Sequence, residues 1–218
     1  MRKIDKPEEE AKLFSEFTSK RFRSNRWDEF TGSNEYRLLR NHLLFELQKG
    51  LSAYTERPIA LSRCTLHIDH FRKKGFPEFK KLTFDYYNLF VDERDSRFGA
   101  VYKDGSAHVN YDTFEGRFRI FDPARDNMAD FIIFDRNGEM YPKDGLDPDI
   151  EERVKETIRV FNLNFRTLKD ERRDTAAIID SYVQGQMTEE EIRKCIAYRG
   201  MPTFVDWYLS ALSKINPQ

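Results

Sequence analysis

Large aromatic side chains run along this 218-residue chain from Phe14 to Tyr208, 19 Phe and 10 Tyr in all. Rings of that size carry most of their favourable free energy only when buried, so a chain loaded with them along its length must fold rather than stay disordered. The length suits one domain with a real core, or two small lobes sharing one. Only Cys64 and Cys195 occur. Two distant cysteines build neither a disulfide framework nor a cysteine zinc site, so both are expected to be inert. The formal net charge is −1. No global positive field then announces a nucleic-acid partner, although a local cationic face remains open. The first residues lack an apolar leader core and no run reaches membrane-spanning length, which predicts a soluble, cytoplasmic protein with no membrane partner.

The periodicity of the first fifty residues is helical. Leu13, Phe14 and Phe17 mark one face of a segment that opens after Pro7 with three glutamates, residues suited to a helix start. Ser33 or Asn34 caps a second helix carrying Leu38, Leu39, His42, Leu43 and Leu47, with Gly50 as its stop. Residues 59–71 suit a strand or hairpin, broken by Gly75 and Pro77. Leu82 to Phe90 is β-prone, and Asp92 to Val101 fits a short helix. Apolar runs at 107–121 and 131–134 follow, the second leading into an Asn137-Gly138 hairpin turn. Asp147-Pro148 opens a helix. Leu168, Ala176, Ile179 and Val183 mark another, and Thr188-x-x-Glu191 is a capping box for a third. Phe204 to Leu212 is the last apolar stretch. The fold class predicted is α+β.

Chemistry concentrates in the middle. His67-Ile68-Asp69-His70 sets a carboxylate beside an imidazole in a strand-like run, and Asn88-Leu89 follows before a short charged segment. Neighbours in a strand point to opposite faces, so Asp69 and His70 need not compete for one spot. By itself the pair is weak, since Asp-His arises often by chance. The bland alternative is a core histidine beside a surface carboxylate. His42 on its leucine-rich helix reads as a half-buried helix residue, and His108 as an unremarkable loop residue.

The wider pattern is more specific. His67-Ile-Asp-His-Phe-Arg, Phe76-Pro77-Glu78 and Leu82-Thr-Phe-Asp85-Tyr-Tyr-Asn88-Leu-Phe occur in that order. Phe121-Asp-Pro-Ala-Arg-Asp, the Asn137-Gly138 turn, Thr157-Ile-Arg-Val-Phe-Asn-Leu-Asn164 and Leu168-x-x-Glu171-Arg172-Arg173 follow. Together with Gln48 to Glu56 upstream, this resembles the HNH (ββα-metal) endonuclease subunit of Septu-type and retron-associated anti-phage systems, the PtuB-like nucleases, over roughly residues 35–175. The resemblance implies an endonuclease hydrolysing nucleic-acid phosphodiesters, in DNA or in structured RNA such as tRNA, with His70 as general base and Asn88 orienting its imidazole. It implies Asp69 as ligand of one divalent ion, with Mg²⁺ the first choice and Mn²⁺ the second. It also implies an ABC/SMC-like ATPase partner and, in the retron branch, a reverse transcriptase with its multicopy single-stranded DNA.

Two departures from the family pattern matter. Its four-cysteine zinc site falls here on Ser52, Thr55, Glu93 and Ser96. Hydroxyls are poor zinc ligands, so no structural zinc is expected and packing by Tyr54, Phe84 and Phe90 takes its place. The helix residue that completes the metal site falls on Arg97, which cannot ligate a metal. Asp95 or Asp92 then substitutes, or His108 swings in; the favoured arrangement is Asp95 as ligand with Arg97 clamping phosphate. Arg72, Lys73, Lys74, Lys80 and Lys81 are expected to contact backbone phosphates, with Arg63 and Arg94 able to join them. Their bland reading is a solvated loop. His67 is a structural residue or a secondary phosphate contact. The expected organisation is one domain, 1–218. Within it lie a helical part (1–50), an HNH-like ββα finger (51–105), a β-rich segment (106–145) and a helical part (146–218) suited to docking. Two rival readings are an inactive HNH-like assembly subunit and a stand-alone nucleic-acid-binding module.

Overall fold

Residues 1–22, 26–59, 65–107, 109, 113, 114 and 117–215 are described by the computed structural model. Helix α1 (Glu8–Arg21) starts after Pro7 with glutamates in its first turn and ends on Lys20 and Arg21, both signs matching the helix dipole. A short helix α2 (Trp27–Thr31), which periodicity did not predict, is made by the burial of Trp27 and Phe30. Ser33 caps α3 (Asn34–Asn41) by accepting from the Tyr36 N–H, as the sequence suggested. The helix then widens into a π turn, His42–Leu47, a form often found at functional sites.

The centre is an antiparallel hairpin of β1 (Leu66–His70) and β2 (Leu89–Glu93), with Ile68 opposite Val91, Asp69 opposite Phe90 and His70 opposite Leu89. Between them the chain makes two 3₁₀ turns, Pro77–Leu82 and Tyr86–Asn88, the second within the stretch expected to be β-prone. Asp85 stops the strand from starting earlier, because its side chain accepts from Tyr87 N and closes the second turn. The expected helix 92–101 begins later, as α4 (Gly99–Gly105). Asp92 and Glu93 belong to β2, where Ser52 and Ala100 satisfy the first and the part-buried Arg57 the second.

A two-stranded sheet has two open edges. Here the preceding helical segment closes them with side chains. Tyr36 Oη accepts from Ile68 N at 3.0 Å, and Gln48 both accepts from Val91 N at 2.7 Å and donates to Val91 O at 2.8 Å. The hairpin therefore lies between two apolar clusters. Ile68, Leu89 and Val91 face Trp27, Phe30, Leu43 and Leu44. Phe90 faces the other way, into the cluster of Tyr54, Phe71, Phe121, Phe161 and Phe204.

Among its described residues, the segment after α4 is thinner in sheet than expected. It has two short hairpins, β3 (Thr113–Phe114) with β4 (Arg117–Phe118), and β5 (Ile132–Phe134) with β6 (Met140–Pro142). The Asn137-Gly138 turn joins β5 to β6, with Gly138 at φ 78°. Helices α5 (Pro148–Phe161), α6 (Arg166–Gln184), α7 (Glu189–Ile196) and α8 (Pro202–Ile215) complete the α+β chain. Asp147 caps α5, and the Thr188/Glu191 capping box opens α7. Among the described residues no helix is long and apolar enough to cross a membrane. Arg63, Cys64 and His108 lie outside the described residues.

Candidate active site

Strand alternation sends the two central residues in opposite directions, as expected. Asp69 shares its face with His67, Phe90 and Asp92; His70 shares the other with Ile68 and Leu89. Each then meets a different wall.

His70 enters the aromatic cluster. Its ring stands edge-on to Trp27 at 4.3 Å, and Nε2 lies 3.0 Å from Thr83 O. Only 5% of the residue is exposed. Burial, the largest influence, drives its pKa from the ordinary 6.5 down to about 4 against the pull of Thr83 O and Asp69. The imidazole is neutral at pH 7, and the Nε2 proton is then donated to Thr83 O.

Asn88 does not orient that ring. Its Oδ1 accepts from Arg72 N at 2.8 Å, while Nδ2 donates to Arg72 O at 3.1 Å and Leu82 O at 3.2 Å. An amide can satisfy a peptide N–H and C=O together, and here it pins the chain leaving β1 to the chain entering β2. The imidazole takes its fixed partner from Thr83 instead.

Asp69 turns into the α4 side, where 3% of it is exposed. The Tyr54 hydroxyl donates to Asp69 Oδ2, and Lys103 Nζ lies 3.5 Å from the same oxygen. Burial alone raises the carboxyl's pKa; the Lys103 ammonium, His67 and the Tyr54 hydroxyl reverse this and hold it below its usual value. Lys103 itself is wholly enclosed, donating to His70 O at 3.1 Å and Asp104 Oδ1 at 2.5 Å. Burial is also the main cause of His67's lowered pKa, and its buried Nδ1 has no hydrogen-bond partner among the described residues.

Asp92 organises the start of α4. Ser52 Oγ donates to its Oδ1 and Ala100 N to its Oδ2, each at 2.7 Å. Burial nevertheless pushes its pKa up to about 7. Gly99 sits at φ 70°, and a Cβ there would overlap Asp92 Oδ2. Gly99→Ala is therefore expected to destabilise the protein by about 2 kcal/mol through positive-φ strain and displacement of this carboxylate. A urea midpoint equal to wild type contradicts that account.

Ser52, Thr55 and Glu93, expected in place of zinc-binding cysteines, lie in a polar network. Ser52 Oγ accepts from Tyr54 N and Thr55 N at 3.2 and 3.1 Å. Glu93 pairs with Arg57 at 2.5 Å, and Arg57 forks onto Glu171 through two 2.7 Å bonds. Tyr54 does pack here, stacked on Phe161 at 4.2 Å and tilted to Phe90 at 6.1 Å. Phe84 belongs instead to the opposite cluster, beside Trp27 and Phe30.

Asp95 and Arg97 engage each other. Arg97 Nη2 lies 2.6 Å from Asp95 Oδ2 and Arg97 N 2.8 Å from Oδ1, and the Arg97 hydrogen bond is the main cause of the lowered Asp95 pKa. Asp95 thus has a monovalent partner, and the structure does not bring it to Asp69 as a co-ligand. Among the described residues no three His, Cys, Asp or Glu side chains are grouped to hold a metal ion. Asp69, enclosed by Tyr54 and Lys103, does not fit a divalent ion in this arrangement.

The expected phosphate contacts divide. Arg72 is buried, 3.4 Å from Asp122, and Lys73 Nζ is held by Asp104 O at 2.6 Å. Lys74, Lys80, Lys81 and Arg94 are exposed. Lys80 and Lys81 border a groove of about 860 Å³ between α1 and the 80–87 segment, which includes Thr83, the partner of His70.

No protein-family model and no characterised protein matches this chain. The site rests on its own geometry.

Sequence reasoning missed Lys103 and Asp104 and gave Tyr54 a packing role only, although Tyr54 and Lys103 decide what Asp69 can do. Lys103 in the Tyr-Lys-Asp run of α4 reads as an ordinary exposed helix lysine. Only the packing of α4 onto the hairpin buries it.

Proposed function

We propose that this chain is the HNH-type endonuclease subunit of a bacterial anti-phage defence complex, and that the conformation described is its closed form. One observation carries the reading. The Asp69-His70 pair ends the first strand of a hairpin whose second strand opens opposite it at Leu89, and the next element is a short helix packed on the carboxylate face. The motif order over residues 35–175 supports the same assignment.

In this reading His70 is the proton acceptor. Held neutral, it has a free lone pair at pH 7, although a pKa of about 4 makes it a weak base until its surroundings open. Lys74, Lys80 and Lys81 supply exposed charge for backbone phosphates, which adds affinity without reading sequence. The metal that the family uses has no fitting ligand set in the closed form, so no catalytic step is assigned to it. The substrate is a nucleic-acid phosphodiester, DNA or structured RNA. The partners are an ABC/SMC-like ATPase and, in a retron setting, a reverse transcriptase with its multicopy DNA.

The sealing of His70 behind Trp27 favours a second reading, an inactive subunit kept for assembly. One experiment separates the two. The chain is co-expressed with an ABC/SMC-like ATPase as candidate partner, and cleaved nucleic acid is sequenced after infection for wild type, Asp69→Asn and His70→Gln. The nuclease reading expects both variants to co-purify with the partner yet lose cleavage and protection by about 100-fold or more, the scale of a lost catalytic group. Full protection by both variants establishes the assembly role instead.

A further inference from the structure

Lys103 occupies a place that its helix position does not explain. A buried ammonium costs several kcal/mol in lost hydration unless it is ringed by acceptors. Its ring is specific: the Asp69 carboxylate at 3.5 Å, the Asp104 carboxylate at 2.5 Å and the His70 main-chain carbonyl at 3.1 Å. Two carboxylates and a peptide carbonyl are oxygen donors of the kind that hold Mg²⁺ or Mn²⁺. The ammonium supplies the positive charge that these oxygens require, and it occupies the space between them.

We propose that Lys103 is a built-in cation that keeps a divalent metal from Asp69, so that metal entry requires the Lys103 side chain to leave the hairpin. The carboxylates cannot be neutralised by both cations at once, because one ammonium already fills the gap. Lys103 and Asp104 are neighbours on α4, and Asp92 and Ala100 tether the start of that helix to β2. The importance for cleavage rests on the nuclease reading; the occupancy of the site by Lys103 does not.

The test reads metal binding alone, so its failure is distinct from failure of the nuclease reading. Purified full-length protein is titrated with Mn²⁺ and the free ion is followed by electron paramagnetic resonance. The variants are Lys103→Gln, Lys103→Met and each combined with Asp69→Asn. Gln keeps a donor for His70 O and Met keeps the volume, so thermal melts identify which is folded. Wild type is expected to bind Mn²⁺ no better than Asp69→Asn does. The folded Lys103 variant gains one site at least tenfold tighter than wild type, and Asp69→Asn removes it. An Mn²⁺ site in wild type that depends on Asp69 overturns the proposal, as does a Lys103 variant that binds no better than wild type. A gained site that survives Asp69→Asn overturns it too.

Discussion

His70→Gln will remove about 3 kcal/mol of acid sensitivity from this protein between pH 6.5 and pH 4. The sign follows from which state binds protons. In the unfolded chain the imidazole titrates near its ordinary 6.5; folded, it is held at about 4 by burial against Trp27. Over that window the unfolded state carries the extra proton, so stability falls as pH falls, by about 1.4 kcal/mol for each unit of separation. Asp92 acts in the opposite sense. Its folded pKa is pushed from 3.8 to about 7, so the folded state holds the extra proton and acid favours it over much of the same range. The two effects largely offset one another. Wild type therefore understates both. The informative quantity is the difference between urea-derived stabilities at pH 6.5 and pH 4.5, compared across wild type, His70→Gln and Asp92→Asn. Gln does not titrate and retains a donor for Thr83 O. With the two offset in wild type, His70→Gln is expected to make stability rise as pH falls, and Asp92→Asn to make it fall. Parallel profiles for all three would falsify the burial assigned to both groups.

Elements whose cause is local were readable from the sequence. Ser33, Asp147-Pro148 and the Thr188/Glu191 box act within one helical turn, and each caps the helix expected of it. The Asn137-Gly138 turn is equally local. The alternation that separates Asp69 from His70 needs only that the segment be a strand. What escaped depends on partners far along the chain. Asp92 reads as a helix-start residue until Ser52, 40 positions away, donates to it inside a strand. Arg72 reads as a surface cation until Asp122 draws it inward. Lys103 belongs to the same class: its partner Asp69 lies 34 positions upstream, and no periodicity couples a lysine on a seven-residue helix to a carboxylate on a strand. Charged residues default to water in any local reading, so a site built from buried charges is the part least visible in sequence. At His70 the sequence offered a core position only as the bland alternative to a general base. A histidine between Ile68 and Phe71, in a chain this rich in rings, lies beside cluster positions on both sides.

Asn88→Ala is expected to destabilise the fold by about 3 kcal/mol, from three side-chain hydrogen bonds lost inside a closed site. The 3% exposed amide satisfies Arg72 N, Arg72 O and Leu82 O. Alanine fills none of these roles, and the packing leaves no ready path for water to replace it. The same substitution would have a different signature if Asn88 bonded the imidazole. Stability would then change little, while the His70 pKa read by NMR would move directly. Asn88→Asp divides the possibilities further. Aspartate retains the acceptor for Arg72 N but has no donor for Arg72 O and Leu82 O when ionised, so it sets a carboxylate beside two carbonyl oxygens. It is expected to be as damaging as alanine at pH 7 and to recover as pH falls and the carboxyl gains a proton to donate. Denaturation within 0.5 kcal/mol of wild type for Asn88→Ala would remove the pinning role. A loss of the expected size makes Asn88 the clasp that holds the chain leaving β1 to the chain entering β2, beside Asp69 and His70.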